Sequence, residues 1–282
     1  MPEAPIQTIV CCMGQPVAGN PTQFVMENAF AAAGLDWRYL TLEVAPEKLE
    51  AAIRGLQAMG FRGGHLTPPH EQAGIKYLDQ ISDTVQLLGA VNCLVQENGR
   101  LMGENLRGKG LLSGLKSLVE PREAPVVLFG AGSTARAFAV ELAQAGAAEL
   151  VVVNRSAEPG QSLVDLLNEQ LHIPARFVHL SSDYVLEENT KIVVNATTIG
   201  WGDDQARLPL DSRSLRPEMV VADAVVHPPR TRLICDAHER GCRVLEGLSI
   251  VVGEAAAAFK LWTGHEPDLG VMREALEEFL EW

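Results

Sequence analysis

VVLFGAGSTA, residues 126–135, decides the fold. Val126, Val127, Leu128 and Phe129 make a short apolar run that reads as a buried strand. The following Gly130-Ala131-Gly132-Ser133-Thr134-Ala135 is a GxGxxA loop, and a helical segment runs on from it to Gly146. Gly130 permits the tight turn, Gly132 lets the backbone approach a pyrophosphate, and Ala135 is small enough for helix and strand to pack closely. The first N–H groups of the helix and its partial positive charge then face the phosphates. A second strand, residues 150–154 (LVVVN), comes next. The loop therefore stands in the strand–loop–helix–strand setting that separates a dinucleotide site from a turn that binds nothing. That strand ends in Asn154-Arg155-Ser156, with no acid to hold a ribose 2′-hydroxyl. A guanidinium among polar neighbours suits a 2′-phosphate, so NADP is expected as cofactor, with NAD possible; the plainer reading of Arg155 is a solvated surface side chain.

Working outward, β-branched runs alternate with helical patterns almost throughout, which indicates parallel α/β structure. Downstream strands read at residues 191–197 (KIVVNAT) and 220–226 (VVADAVV). Upstream, residues 8–13 read as a strand ended by Gly14 and Pro16, and a helical segment starts at Thr22 and stops at Gly34. Pro46 opens a clearer helix whose Leu49, Ala52, Ile53, Leu56 and Met59 share one face, capped by Gly60. Residues 64–67 form a short strand running into Pro68 and Pro69, and two helices, roughly 249–263 and 268–282, close the chain. No internal repeat or low-complexity linker interrupts this order.

The 282 residues, 47% hydrophobic and 21% charged, suffice for one large domain or two ordinary ones. A formal net charge of −13 would repel phosphate backbones, so no nucleic-acid partner is expected. No apolar run approaches the ~20 residues a membrane span needs, so no membrane partner is expected either. The opening MPEAPIQTIV lacks a basic region followed by a long apolar stretch. Five cysteines, Cys11, Cys12, Cys93, Cys235 and Cys242, include no CxxC pair, so free thiols in a reducing cytoplasm are expected. Cys235, His238 and Cys242 lack a fourth ligand cluster, and no metal is expected.

Ordered stretches carry a resemblance over nearly the whole length: GQPVA (14–18), GLDWRYL (34–40), GFRGGHLTPPH (60–70), GAVNCLV (89–95), GENLRGKGLL (103–112) and GAGSTARA (130–137). They continue with VVNRS (152–156), VVNATTIG (193–200), EGLSIVVGEAAAAFKLWTG (246–264) and EP-x(4)-MREAL (266–276). In these the chain resembles the shikimate dehydrogenases and their quinate-using relatives. The resemblance implies an α/β fold of two domains with the active site in the cleft between them. An N-terminal α/β substrate domain would take residues 1–107 plus 247–282, and an NAD(P)-binding Rossmann domain residues 108–246. It implies reversible hydride transfer between NADP and the C–OH or C=O carbon of a small acid in aromatic amino acid biosynthesis, by a monomer or homodimer. Thr197, Val225 and Gly247 join residues 130–135 and 154–156 as implied cofactor contacts.

The substrate side departs from the family pattern. The family's catalytic Lys position is Glu71, and its partner Asp, in Asn-Thr-Asp-Gly, is Arg107. Both charges are inverted. Arg107 cannot release a proton near neutral pH, so Glu71 is the candidate base, though a carboxylate at its ordinary pKa of about 4.3 is a weak one. The serines that bind the substrate carboxylate become Asn20 and Thr22, an Asn becomes His65, a Tyr becomes Val226, and a Gln becomes Glu254, while Thr67 and Asn92 are kept. Asn20, Thr22, Thr67, Asn92 and Glu254 are thus the implied substrate contacts. A site built around particular hydroxyls discriminates by factors of about 10⁴, so shikimate should bind poorly. Arg107 suits a bidentate clamp on an anion or a salt bridge to Glu71, and His65 suits either a proton shuttle or a hydrogen-bonded structural role. His70, between Pro69 and Glu71, reads either way. The expected activity is an NADP-dependent dehydrogenase of altered substrate, a small anionic hydroxy or keto acid, using Glu71, Arg107 and His65. The rival is an NADP-binding sensor of the same fold without turnover.

Overall fold

The computed structural model describes residues 6–281. Residues 1–5, which open the stretch read as lacking a leader, and Trp282, the expected end of the last helix, lie outside that range. The first unit runs through β1 (Thr8–Gly14), α1 (Thr22–Ala32), β2 (Trp37–Glu43), α2 (Leu49–Ala58), β3 (Gly63–Leu66), α3 (His70–Ala73), β4 (Gln80–Ile81), α4 (Asp83–Leu88), β5 (Cys93–Glu97) and β6 (Arg100–Glu104). The second carries α5 (Arg107–Lys116), β7 (Pro125–Phe129), α6 (Ser133–Gln144), β8 (Glu149–Asn154), α7 (Ala157–Glu169), β9 (Ala175–His179), β10 (Ile192–Asn195), β11 (Val220–Asp223), α8 (Arg232–Glu239) and β12 (Arg243–Leu245). Then come α9 (Gly247–Thr263) and α10 (Leu269–Phe279).

In the first unit the strand order is β2-β1-β3-β5-β6-β4. β1 pairs in parallel with β2 and β3, but β5 lies antiparallel to both β3 and β6. This antiparallel insert is a difference from the expected parallel pattern. Its cause is local: Asn98 and Gly99 both take positive φ, 52° and 76°, the pairing a two-residue hairpin turn of matching twist requires. The amphipathic stripe of α2 buries Leu49, Ile53 and Leu56 against Cys11, Met13, Leu66 and Leu94. On the other side, Trp262 is buried and its Nε1 donates to the Leu94 carbonyl at 2.9 Å. That approach needs Gly63, where a Cβ would lie 2.1 Å from the Leu94 oxygen and 2.6 Å from Trp262 Nε1.

In the second unit all six strands are parallel, in the order β12-β11-β10-β7-β8-β9. Successive strands leave β7 in opposite directions, so the sheet has its switch point between β7 and β10, where the strand ends open a crevice for a dinucleotide. Both of its faces are covered, and β7, β8, β10 and β11 are accordingly near-continuous apolar runs.

The second unit is Arg107–Glu254 and the first takes the remainder of the chain. The expected division changed at 107/108 and 246/247; this one changes at 106/107 and 254/255. The start of α9 goes with the second unit because it crosses α5 backbone to backbone: a Cβ on Gly110 would lie 2.3 Å from the Ile250 carbonyl and 2.9 Å from Glu254 N. Among the described residues no helix is long and apolar enough to cross a membrane.

Candidate functional site

The GxGxxA loop takes the geometry its residue types demand. Gly130 has φ +109°, and a Cβ there would lie 2.9 Å from the Ala196 carbonyl. Ala135 is fully buried where α6 meets the sheet. Gly132 differs. Its φ of −75° and ψ of −173° suit any residue, and a Cβ there would meet no protein atom within 4 Å. The fold makes no demand for glycine at 132, so the space beside it fits a ligand's close approach. Gly132 is also the N-cap of α6 and supplies no side-chain cap, while Ser133 is exposed and Ala131 buried. The first N–H groups of a twelve-residue helix, Thr134 among its first turn, are left for an anion.

Beside this loop a cavity of about 320 Å³ is lined by Asn154, Arg155, Leu180, Thr197, Thr198 and Pro209, among others. Asn154 folds back to donate from Nδ2 to the Ser156 carbonyl at 2.8 Å, which shapes the turn carrying the exposed Arg155 and Ser156. Thr197 donates from Oγ1 to Asn195 Oδ1 at 2.7 Å and accepts from Ile199 N at 3.1 Å. Val225 and Gly247 meet directly: a Cβ on Gly247 would lie 2.2 Å from the Val225 carbonyl oxygen. The groups expected to hold a dinucleotide thus line the carboxyl ends of β7, β8, β10 and β11. The open Gly132, the uncapped helix start and the cavity carrying Arg155 fit NADP.

In the first unit, the residues expected around a substrate divide into two sets. Several are engaged internally. His65, in β3, is buried, and its Nδ1 lies 2.7 Å from the Tyr39 hydroxyl, with Trp262 edge-on at 4.8 Å between ring centroids. Burial pushes the His65 imidazole down to about 4, so it is neutral across the ordinary pH range. His70 is also buried and turned inward, its Nε2 2.7 Å from the Val44 carbonyl. Asn20 Oδ1 accepts from Thr22 N at 2.9 Å, and its Nδ2 lies 3.7 Å from Cys12 Sγ. Asn92 Oδ1 accepts from Leu106 N at 2.8 Å while its backbone carbonyl accepts from Leu66 N at 3.1 Å, so this buried amide ties β3 to the turn before Arg107.

Thr67 is half-buried, its Oγ1 3.4 Å from the Met13 carbonyl, and it sits over Gly14, where a Cβ would lie 1.9 Å from that hydroxyl. Glu71 sits in α3, half-buried, with its backbone carbonyl accepting from Val91 N at 2.8 Å. In the second unit Arg107 is the first residue of α5, and Glu254 lies on α9 at the crossing over Gly110.

Two residues escaped the sequence reading. Cys12 is surrounded by the polar groups of Tyr39, Thr67 and Asn20, and burial, partly offset by hydrogen bonds from Tyr39 and Thr67, pushes its thiol up to about 11. The alternation of β1 is the available signal, since it puts Cys12 on the face opposite the core residues Cys11 and Met13. Asp223, the last residue of β11, is the other.

Comparison with known proteins adds independent findings. Three family models match: the shikimate dehydrogenase substrate binding domain over residues 12–94, shikimate/quinate 5-dehydrogenase over 115–199, and the shikimate 5′-dehydrogenase C-terminal domain over 255–277. A shikimate dehydrogenase (NADP(+)) of Methanopyrus kandleri is 35% identical over 277 residues, 96% of each chain. A 5-ketofructose reductase of Gluconobacter sp. strain CHM43, in ligand-free form, superposes with a TM-score of 0.95 at 38% identity, covering 98% of this chain and 99% of that one. The Thermus thermophilus shikimate 5-dehydrogenase, in complex with NADP(H) and shikimate, gives 0.82 at 31% identity over 97% and 100%.

Proposed function

The chain belongs to the shikimate dehydrogenase family, and from that membership we propose that it is an NADP(H)-dependent oxidoreductase that interconverts a ketone and a secondary alcohol on a small polyhydroxylated substrate other than shikimate. The family is enzymatic and uses NADP, and the second unit is equipped for that cofactor. One observation carries the altered substrate. By the resemblance, the family's Lys and Asp positions fall on Glu71 and Arg107, while His65 and Asn20 are occupied by Tyr39 and Thr22. Most of the groups through which shikimate would be recognised are exchanged or engaged elsewhere, Thr67 being the exception. Similarity to a 5-ketofructose reductase over 98% of the chain favours a neutral polyhydroxy ketone of that class.

Roles follow from side-chain chemistry. The 130–135 loop and the start of α6 bind the pyrophosphate, Arg155 binds the 2′-phosphate on a turn shaped by Asn154 and Ser156, and Thr197, Val225 and Gly247 border the rest. NADP(H), when bound, donates or accepts the hydride. Glu71 exchanges the proton of the reacting oxygen, taking it from the hydroxyl in oxidation and returning it in reduction. Arg107 stays charged and holds a substrate oxygen. Thr67 offers a hydroxyl to the substrate, and Thr22 and Glu254 border it. Asn92 acts by fixing the turn before Arg107. His65, neutral and bound to Tyr39, is better suited to hold β3 in place than to shuttle protons.

A second reading keeps an anionic hydroxy or keto acid as substrate, favoured by the fork geometry of Arg107. Initial rates of NADPH oxidation with 5-ketofructose and with small keto acids separate the two. In the first reading 5-ketofructose is reduced, and Arg107→Lys lowers kcat with a neutral substrate. In the second only acids react, and Arg107→Lys chiefly raises their KM. No NADPH oxidation with either class, from protein that binds NADPH, would overturn both.

A further inference from the structure

The carboxylate of Asp223 is fully buried, and it takes no part in the chemistry proposed for the site. Its Oδ1 accepts from Asn195 Nδ2 and from Val225 N, both at 2.9 Å, and its Oδ2 accepts from Thr231 Oγ1 at 2.7 Å. The three donors come from three places: the end of β10, the loop after β11 and the N-cap of α8. Each connection continues. Asn195 Oδ1 accepts from both N and Oγ1 of Thr197, at 3.0 and 2.7 Å. The Val225 N–H is held by Asp223, and the Val225 carbonyl is faced by Gly247, where no Cβ fits. Thr231 Oγ1, having donated to Asp223, accepts from Ile234 N at 3.3 Å and so caps α8.

All three neighbours donate to Asp223, so its ionised form matches the site. Burial raises the carboxyl and the donors Thr231, Val225 and Asn195 partly offset it, for a net value of about 6, which leaves it mostly ionised at neutral pH and above. No cation is among the groups that set its titration. A buried carboxylate without a cation is a costly way to tie two loops that neutral side chains could tie, so rigidity of those loops is the gain that explains it. Both loops carry cofactor-side residues: Thr197 on one, Val225 on the other.

We propose that Asp223 is a positioning residue of the cofactor site, its carboxylate holding Thr197 (through Asn195) and the Val225 N–H in the arrangement that receives NADP(H). This rests on the cofactor reading above. Asp223 acts through its neighbours and touches no reacting atom.

The test uses the full chain and reads NADPH dissociation constants by fluorescence titration, beside kcat and KM and the thermal midpoint. Asp223→Asn keeps the shape but gives an amide N–H where a donor already points, and should weaken NADPH by about tenfold. Thr231→Val removes one of three donors and should weaken it by about threefold, with kcat at saturating NADPH held within about twofold. Thr231→Ser restores the donor and should restore the affinity. If Asp223→Asn fails to fold, the Thr231 pair carries the test. Unchanged NADPH affinity in folded Asp223→Asn or Thr231→Val overturns the proposal. So does a loss of binding stoichiometry at constant affinity, which is what a purely structural role gives. If the unaltered protein itself fails to bind NADPH, the cofactor reading falls first and this proposal with it.

Discussion

Replacing His65 by Asn should remove a pH dependence of stability that the structure makes quantitative. In the unfolded chain this imidazole titrates near 6.5; in the fold, burial beside Trp262 and Tyr39 lowers it to about 4. The folded state therefore binds fewer protons than the unfolded state between those values, and stability falls as pH falls through that window. The difference of two to three pK units corresponds to about 3 kcal/mol, present in full above pH 6.5 and mostly lost by pH 4. His65→Asn also leaves the Tyr39 hydroxyl with a changed partner, but that offset does not vary with pH. Urea unfolding of both proteins at pH 7.5, 5.5 and 4.5 isolates the effect, because every other titrating group is common to the two. The protein with His65 should lose about 2.5 kcal/mol more than the variant between pH 7.5 and pH 4.5. Parallel losses within 1 kcal/mol would refute the neutral, buried imidazole and reopen a protonated His65 at the site.

Three further outcomes are expected. Gly132→Ala meets no protein atom, so stability should stay within about 0.5 kcal/mol by calorimetry while NADPH affinity falls more than about tenfold in a fluorescence titration. Gly63→Ala drives a Cβ into the Leu94 carbonyl and the Trp262 indole, and should cost about 2–4 kcal/mol in urea unfolding, with the loss of the hydrogen bond between them. Arg155→Gln should cut the preference for NADP over NAD by about tenfold, measured as the ratio of dissociation constants, with NAD binding nearly unchanged.

The cofactor half was legible because its signals are local. Glycine at 130, a small residue at 135 and the apolar runs of β7 and β8 each answer a backbone or packing demand within a few residues. The ends of elements were read less well: the strand read over 220–226 stops at Asp223, where the carboxylate turns back to take the Val225 N–H and ends the extended run. The hairpin of β5 and β6 was missed although Asn98-Gly99 between two apolar runs is its usual signature, because the surrounding alternation suggested only parallel pairing. In the substrate half, contacts decide everything and spacing says little. His65 and His70 look equally available in the sequence. The fold turns one to Tyr39 and the other to the Val44 carbonyl, through pairings 26 residues apart. Cys12 and Asp223 gave no motif at all, since their partners come from several separate segments.

A dehydrogenase of this family that keeps its cofactor site and has changed its substrate should behave differently toward shikimate and toward a ketose. The most direct test compares kcat/KM for shikimate with NADP against that for 5-ketofructose with NADPH, on one preparation whose NADPH affinity has been titrated. NADPH should bind tightly, the ketose should turn over, and kcat/KM for shikimate should be lower by about a thousandfold or more. Shikimate turned over as efficiently as the ketose would contradict the change of substrate and show that Glu71 and Arg107 can do the work of the Lys–Asp pair.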